Sequence, residues 1–296
     1  MIQDLLNSLT LGSIYLLFAL GMALVWGTIG ILNFAHGSIF MFATFIAYLI
    51  TERISLPLPA VLLIAALAGA ILSVAVQVLA FQPIMRRAKN QHSAELQILI
   101  GGIGIAAVPI ALAQRATLSN PFGLGQSTFQ VQIYEFGDIR VSNIMIIILL
   151  AGLILGGGVA WWVKTSRQGL ALRAIGVNDE VASIMGINKQ RLALSTMALG
   201  GALAGLAGAL LTYYLSAITP ESGDALLIKA FAAIVLGGLG SIAGVIVGSF
   251  ILALSETVVL TYTSGTWVNA VSFGLIFIIL VIRPQGIFGR KEVVRT

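Results

Sequence analysis

Polar chemistry is scarce in this sequence, and what there is lies inside apolar runs. In GMALVWGTIGILNFAHGSIFMFATFIAYLI, residues 21–50, Asn33 and His36 stand three apart and Ser38 follows. If the segment is helical there, Asn33 and His36 share a face. Polar groups at membrane depth are costly and tend to line a bundle interior or a watery path. Gly27 and Gly30 interrupt the run, as in helices broken around a transported solute. A plainer reading of the same residues is close helix packing at the glycines, with His36 bonded to a neighbouring carbonyl. Glu256, in ALSETVVL, is an intramembrane carboxylate. A cation or proton site is one use for such a group, but the expected topology puts it near the outer end of its span as a hydrated residue.

Hydrolytic and redox chemistry find no support. The chain has 2 histidines, His36 and His92, and no cysteine. His92 lies in a basic loop, and the missing thiols exclude disulfides and thiolate metal sites. No GxxxxGK[ST] occurs and no lysine follows a glycine, so the chain has no P-loop with which to bind ATP. No catalytic residue and no metal site are expected.

The elements that must position these groups are membrane helices. Of 296 residues, 58% are hydrophobic and 9% charged, against about 25% charged in a soluble domain. Apolar spans read as 5–26, 31–50, 57–81, 96–114, 142–163, 192–215, 225–240, 241–260 and 267–282. The seventh is short for a bilayer that needs about 20 residues and is expected to be a half-helix. The predicted fold class is an all-α polytopic integral membrane protein, one domain over 1–296, with about 8–9 membrane or half-membrane helices. Arg86, Arg87 and Lys89, then Lys164, Arg167, Arg173, Lys189 and Arg191, then Arg283, Arg290, Lys291 and Arg295 fall on one side under alternating topology. Arg53, Arg115, Arg140 and Lys229 remain. The positive-inside rule makes the C-terminus cytoplasmic and the N-terminus external. Nine crossings satisfy this, and so do seven full spans plus paired half-spans.

Outside the spans, residues 117–141 alternate Phe129, Val131 and Ile133 with Gln130, Gln132 and Tyr134 before a Gly137-Asp138 turn. This predicts a small amphipathic hairpin on the outer surface, either capping the pore, receiving a partner or only covering helix ends. The internal stretch 164–191 holds Asn178 as N-cap, Asp179 and Glu180 in the first turn and Gly186 at the C-terminal cap. The helix over about 179–185 has an apolar stripe of Val181, Ile184 and Met185, and one so short needs a surface to pack on. In the sixth span Gly201 and Gly205 form a GxxxG, a mark of tight helix contact. A second broken region, KAFAAIVLGGLGSIAGVIVGSF over 229–250, offers Ser241 as the N-cap of a new helix. A twofold relation between the breaks near 27–37 and 237–244 is open, without a residue-level repeat to carry it.

Four motifs in order, GTIGILNFAHG at 27–37, LRAIGVNDEVASIMGIN at 172–188, FAAIVLGGLGSIAG at 231–244 and RPQGIFG at 283–289, resemble the LivH-type permease of branched-chain amino acid ABC importers. The resemblance spans essentially the whole chain. It implies a permease subunit working with a second, LivM-like permease, two LivG/LivF-like cytoplasmic ATPases carrying ATP and Mg, and an extracytoplasmic solute-binding protein, in a bacterial or archaeal plasma membrane. It also implies that residues 170–188 carry a coupling helix for an ATPase cleft, with Ala182, Gly186 and Ile187 resembling a degenerate EAA-type core. Arg173, Asn178, Asp179, Glu180, Val181, Ile184 and Met185 complete the expected contact. Asn33, Phe34, His36, Ser38 and Phe40, with Ser241, are expected to line or shape the path. The substrate is a branched-chain or other hydrophobic amino acid or a related small solute. The competing class is a stand-alone secondary transporter or channel, for which Glu256 and Lys229 are the available buried charges.

Overall fold

The computed structural model describes residues 1–289 other than Lys89, residues 126–128 and Ser264. Of the side chains of Gln91, His92 and Asp179 nothing is described, and Arg290, Lys291 and Arg295 of the expected cytoplasmic cluster also lie outside the described residues. In chain order come α1 (Ile2–Ile29), α2 (His36–Thr51), α3 (Leu58–Val76), a π-turn (Gln77–Phe81), α4 (Gln82–Arg87) and α5 (Gln91–Thr117). A hairpin of β1 (Ile133–Phe136) and β2 (Ile139–Ser142) leads to α6 (Asn143–Thr165), α7 (Arg167–Ile175) and α8 (Asp179–Ile184). Then follow α9 (Lys189–Leu215), α10 (Ser222–Gly237), α11 (Ile242–Tyr262) and α12 (Val268–Ile282). All nine apolar spans are present as helices. Seven among the described residues are long and apolar enough to cross a membrane, with α3 and α4 counted as one continuous helix and α12 counted together with the single turn Gly265–Trp267 that leads into it. The short ones are α2 and α10, 16 residues each, about 24 Å at 1.5 Å per residue. The arrangement is therefore seven spans and a pair of half-spans. The π-turn in the long third span precedes Pro83, whose missing N–H cannot close the regular ladder.

α1 and α9 cross at the centre. Gly21 and Gly200 press their backbones together, so that a Cβ on either would strike the other's carbonyl. Thr28 and Thr196 share a hydroxyl hydrogen bond at 2.9 Å, and the falling register makes the two helices antiparallel. α3 packs on α9 through Gly69 against Gly201 and Ala65 against Gly205. The GxxxG thus works as expected, by letting two backbones approach where a side chain would hold them apart.

The two halves are related by an inverted twofold. α1 and α9 have 28 and 27 residues, and each is followed by a linker of equal length, 30–35 and 216–221, and then by a half-span. Gly30 (φ 77°) and Ser216 (φ 71°) end the long helices in the left-handed conformation. His36 N–H then donates to Asn33 O, as Ser222 N–H donates to Thr219 O, both at 3.0 Å. α1 packs on α11 as α9 packs on α3, and α2 leans on α5 as α10 leans on α12. The half-spans meet at Gly37 and Gly223, each lying against the other's backbone. The counterpart of the first break is therefore 216–223, not 237–244. Gly27, expected to loosen the first span, is helical and packs on Leu172 of α7; the chain turns only at Gly30.

The hairpin pairs Ile133 with Ser142 and Phe136 with Ile139 around Gly137 (φ 63°). Of the expected apolar stripe only Phe129 lies on the protein, its ring edge-on to Tyr213 at 5.6 Å, while Val131, Ile133 and Phe136 are exposed. Gln3 ties it to the start of α1 by accepting from Arg140 N–H at 2.8 Å and donating to Arg140 O at 3.1 Å. α7 packs at the opposite end of α1, so hairpin and α8 stand at opposite ends of the bundle.

Candidate functional site

The first candidate site is the start of α2. Asn33 and His36 do not share a helical face, because α2 begins only at His36. The Asn33 carboxamide oxygen accepts the Ala35 N–H at 3.0 Å, a local bond that holds Asn33 outside the helix, and its amide points to the Met197 sulfur at 3.9 Å. His36 is fully buried. Its Nε2 bonds to the Phe18 carbonyl at 3.3 Å and its ring lies tilted by 44° against that of Phe18, centroids 4.6 Å apart, while Nδ1 has no hydrogen-bond partner among the described residues. Ser38 donates to Ala35 O at 2.9 Å, and Phe40 meets Phe18 edge-on at 5.4 Å. Phe34 is partly buried, close to Gly102 of α5. These residues form a single cluster around α1, α2 and α9. Ser241 is not part of it: its hydroxyl accepts the Gly244 N–H at 3.1 Å as the N-cap of α11, beyond the far end of the ~24 Å helix α10. There Ile287 and Phe288 donate to Leu236 O and Gly237 O, so the RPQGIFG segment satisfies the last carbonyls of α10.

The second candidate site is α8. Asn178 caps it, its side chain accepting the Val181 N–H at 3.0 Å, and Gly186 (φ 88°) turns the chain after it. Val181 is 54%, Ile184 84% and Met185 77% exposed, with Val177 beside them at 83%. Glu180 is exposed as well, whereas Ala182 is buried and Ile187 packs on the core. The backbone of Asp179 opens the helix; its side chain lies outside the described residues. Before α8 the sequence forms a separate helix, α7, capped by Ser166, which spacing alone did not separate. Arg173 reaches back from α7 to Lys164 O at 3.2 Å. A crevice of about 240 Å³ between α7 and α9 is bordered by Arg167, Gln168, Asn188 and Arg191. It makes the surroundings of α8 basic.

The third feature corrects an expectation. Glu256 is not hydrated: it is 0% exposed. Its Oε2 accepts from the Tyr15 hydroxyl at 2.6 Å and from Lys229 Nζ at 2.8 Å, and its Oε1 accepts from Ser272 at 2.7 Å. Lys229 also donates to the Tyr15 oxygen at 2.8 Å. A helical side chain leans toward the N-terminus of its own helix. Glu256 therefore reaches down α11 into the bundle, away from the nearer helix end at Tyr262. Residues from α1, α10, α11 and α12 meet here, which no local spacing could reveal.

A family model described as branched-chain amino acid transport system / permease component matches residues 4–280. The high-affinity branched-chain amino acid transport system permease protein LivH of Escherichia coli K12 is 31% identical over 99% of this chain and 96% of its own length. BraD of Pseudomonas aeruginosa, a permease protein of the same kind of system, is 31% identical over 99% and 97%. The probable branched-chain amino acid transport permease protein LivH of Methanocaldococcus jannaschii is 31% identical over 94% and 89%. No solved structure gives a significant match.

Proposed function

Because the chain belongs to the family of branched-chain amino acid transport permeases, we propose that it is the membrane subunit through which an ATP-driven importer moves a branched-chain amino acid or a related small solute. The observation that carries this reading furthest is α8, a short capped helix that shows Val181, Ile184 and Met185 to the outside at one end of a membrane bundle. Apolar side chains on so short a helix need a partner surface. The partners proposed are a second, related permease, two ATPases that bind ATP and Mg, and an extracytoplasmic solute-binding protein. The membrane is the plasma membrane of a bacterium or archaeon, with the α8 end cytoplasmic and the hairpin end outside, as the basic residues suggest.

A mechanical route follows from the packing. α8 continues from α7, α7 packs through Leu172 on Gly27, and Gly27 lies one turn before the left-handed Gly30 at which the chain turns toward α2. Closure of the ATPase pair would move α8 as a rigid element. The end of α1 would follow, and the half-spans meeting at Gly37 and Gly223 would open alternately to the two sides. Asn33, Phe34, His36, Ser38 and Phe40 shape the path from the start of α2, and Ser241 belongs to its mouth at the α8 end. Arg173, Asn178, Asp179, Glu180, Ala182, Gly186 and Ile187 frame the apolar contact.

The test is uptake of labelled leucine into vesicles holding the assembled complex and its solute-binding protein. ATP-dependent accumulation is expected. The buried Lys229–Glu256 pair is the feature a gradient-driven transporter would need. Accumulation by this chain alone, under an ion gradient and without ATPases, would favour that class instead.

A further inference from the structure

We infer that the Tyr15–Lys229–Glu256–Ser272 network is a positioning device for the half-span α10, present for transport and not for folding. The inference rests on the transport reading above. Tyr15 lies about 20 Å along an α1 that is about 42 Å long, which places the network near mid-membrane. An ion pair at that depth is a poor source of stability: apolar replacements of buried pairs are often neutral or stabilising, whereas removing one partner leaves a stranded charge.

The molecule carries its own control. Ala43 stands as far into α2 as Lys229 stands into α10. Ala43 is buried, and a Cβ built on Gly205 of α9 would meet its methyl at 3.2 Å and also strike the Ala65 carbonyl of α3. By the twofold, α9 and α3 correspond to α1 and α11. One half-span is thus seated by alanine and glycine, and the other by tyrosine, lysine and glutamate. The fold does not require the charges.

What the charges add is direction. Lys229 is 17% exposed at its side chain while Glu256 is sealed at 1%. Two ammonium N–H groups are engaged by Tyr15 and Glu256, and no hydrogen-bond partner takes the third among the described residues. Beside Lys229, the face of α10 that carries Asp224, Ala225 and Ile228 is exposed. The network therefore fixes how far that face turns out of the bundle, on the half-span whose first turn touches Gly37. Ammonium and carboxylate hold one rotation of the helix more sharply than apolar contacts would.

The experiment compares Lys229→Met, Glu256→Gln and the double variant in the assembled complex. Each single change strands a charge and lowers the amount of complex recovered. The double variant should assemble and melt like the wild type, yet its maximal leucine uptake should fall roughly tenfold at unchanged half-saturation. A cysteine introduced by Ala225→Cys reads the helix position without transport, and its labelling rate should change several-fold in the double variant. Wild-type uptake together with unchanged labelling in the double variant would overturn the inference. So would failure of the double variant to assemble, which would make the network a folding element. Absence of leucine uptake by the wild type would count against the transport reading alone, since the labelling comparison still decides the positioning.

Discussion

At the scale of single residues, His36 concentrates the open question about the path. It has a bond to the Phe18 carbonyl and, among the described residues, no partner for its Nδ1 in a sealed setting. An acceptor buried without a donor is costly, which argues for a donor that arrives during the transport cycle. His36→Leu should leave assembly intact and cut uptake by about fivefold, the equivalent of one hydrogen bond of about 1 kcal/mol. His36→Gln, which keeps a donor and an acceptor, should recover most of it. Normal uptake by His36→Leu would return the residue to packing. The central glycines behave differently. Gly201 faces the Gly69 backbone and the Ser73 side chain with no room for a Cβ. Gly201→Leu should lower stability by about 1–3 kcal/mol or more, read as a fall in the melting temperature of the purified protein. Small residues at three- and four-residue spacings announce themselves in sequence, so this contact was legible there. The partners of Glu256 were not, because Tyr15, Lys229 and Ser272 come from three other helices.

At the scale of elements, boundaries were legible where a capping residue writes them. Asn178, Ser241 and Gly186 sit where the chain chemistry requires them. The short length of 225–240 foretold α10, but the matching shortness of α2 was hidden, because 31–35 is as apolar as a helix while its backbone turns. The hairpin's pairing followed from alternation and a Gly-Asp turn; its exposure did not, since alternation says which residues share a face and not what that face meets. α8 supports a clean test. Val181→Asp with Met185→Asp changes two exposed side chains and should spare folding of the permease. The ATPase subunits should no longer co-purify with it. Undiminished recovery of the ATPases would remove α8 from the contact. Asn178→Ala should give a milder version, since losing the cap costs about 1 kcal/mol of helix stability.

For the whole molecule, the inverted twofold fixes that the bundle has two distinct ends, and the sidedness decides which of them meets the ATP supply. Two halves related by an axis in the membrane plane must enter it from opposite sides, so α1 and α9 run antiparallel and the half-spans approach their meeting point from opposite faces. The equal linkers 30–35 and 216–221 carry this relation, yet of the residues at the meeting point the two halves share only Gly37 and Gly223. Backbone demands repeat and side chains do not, which is why the symmetry escaped the sequence. The chain has no cysteine, so one introduced thiol reports one place. Ile184→Cys and Phe136→Cys both alter exposed positions at opposite ends of the bundle. In intact cells an impermeant maleimide should label Phe136→Cys, and Ile184→Cys should react only after the membrane is opened. Labelling of both from outside would contradict the two-ended architecture. Reversal of the pattern would keep the architecture but place α8 away from the ATP supply, and the route from α8 through α7 to Gly30 could then no longer drive transport.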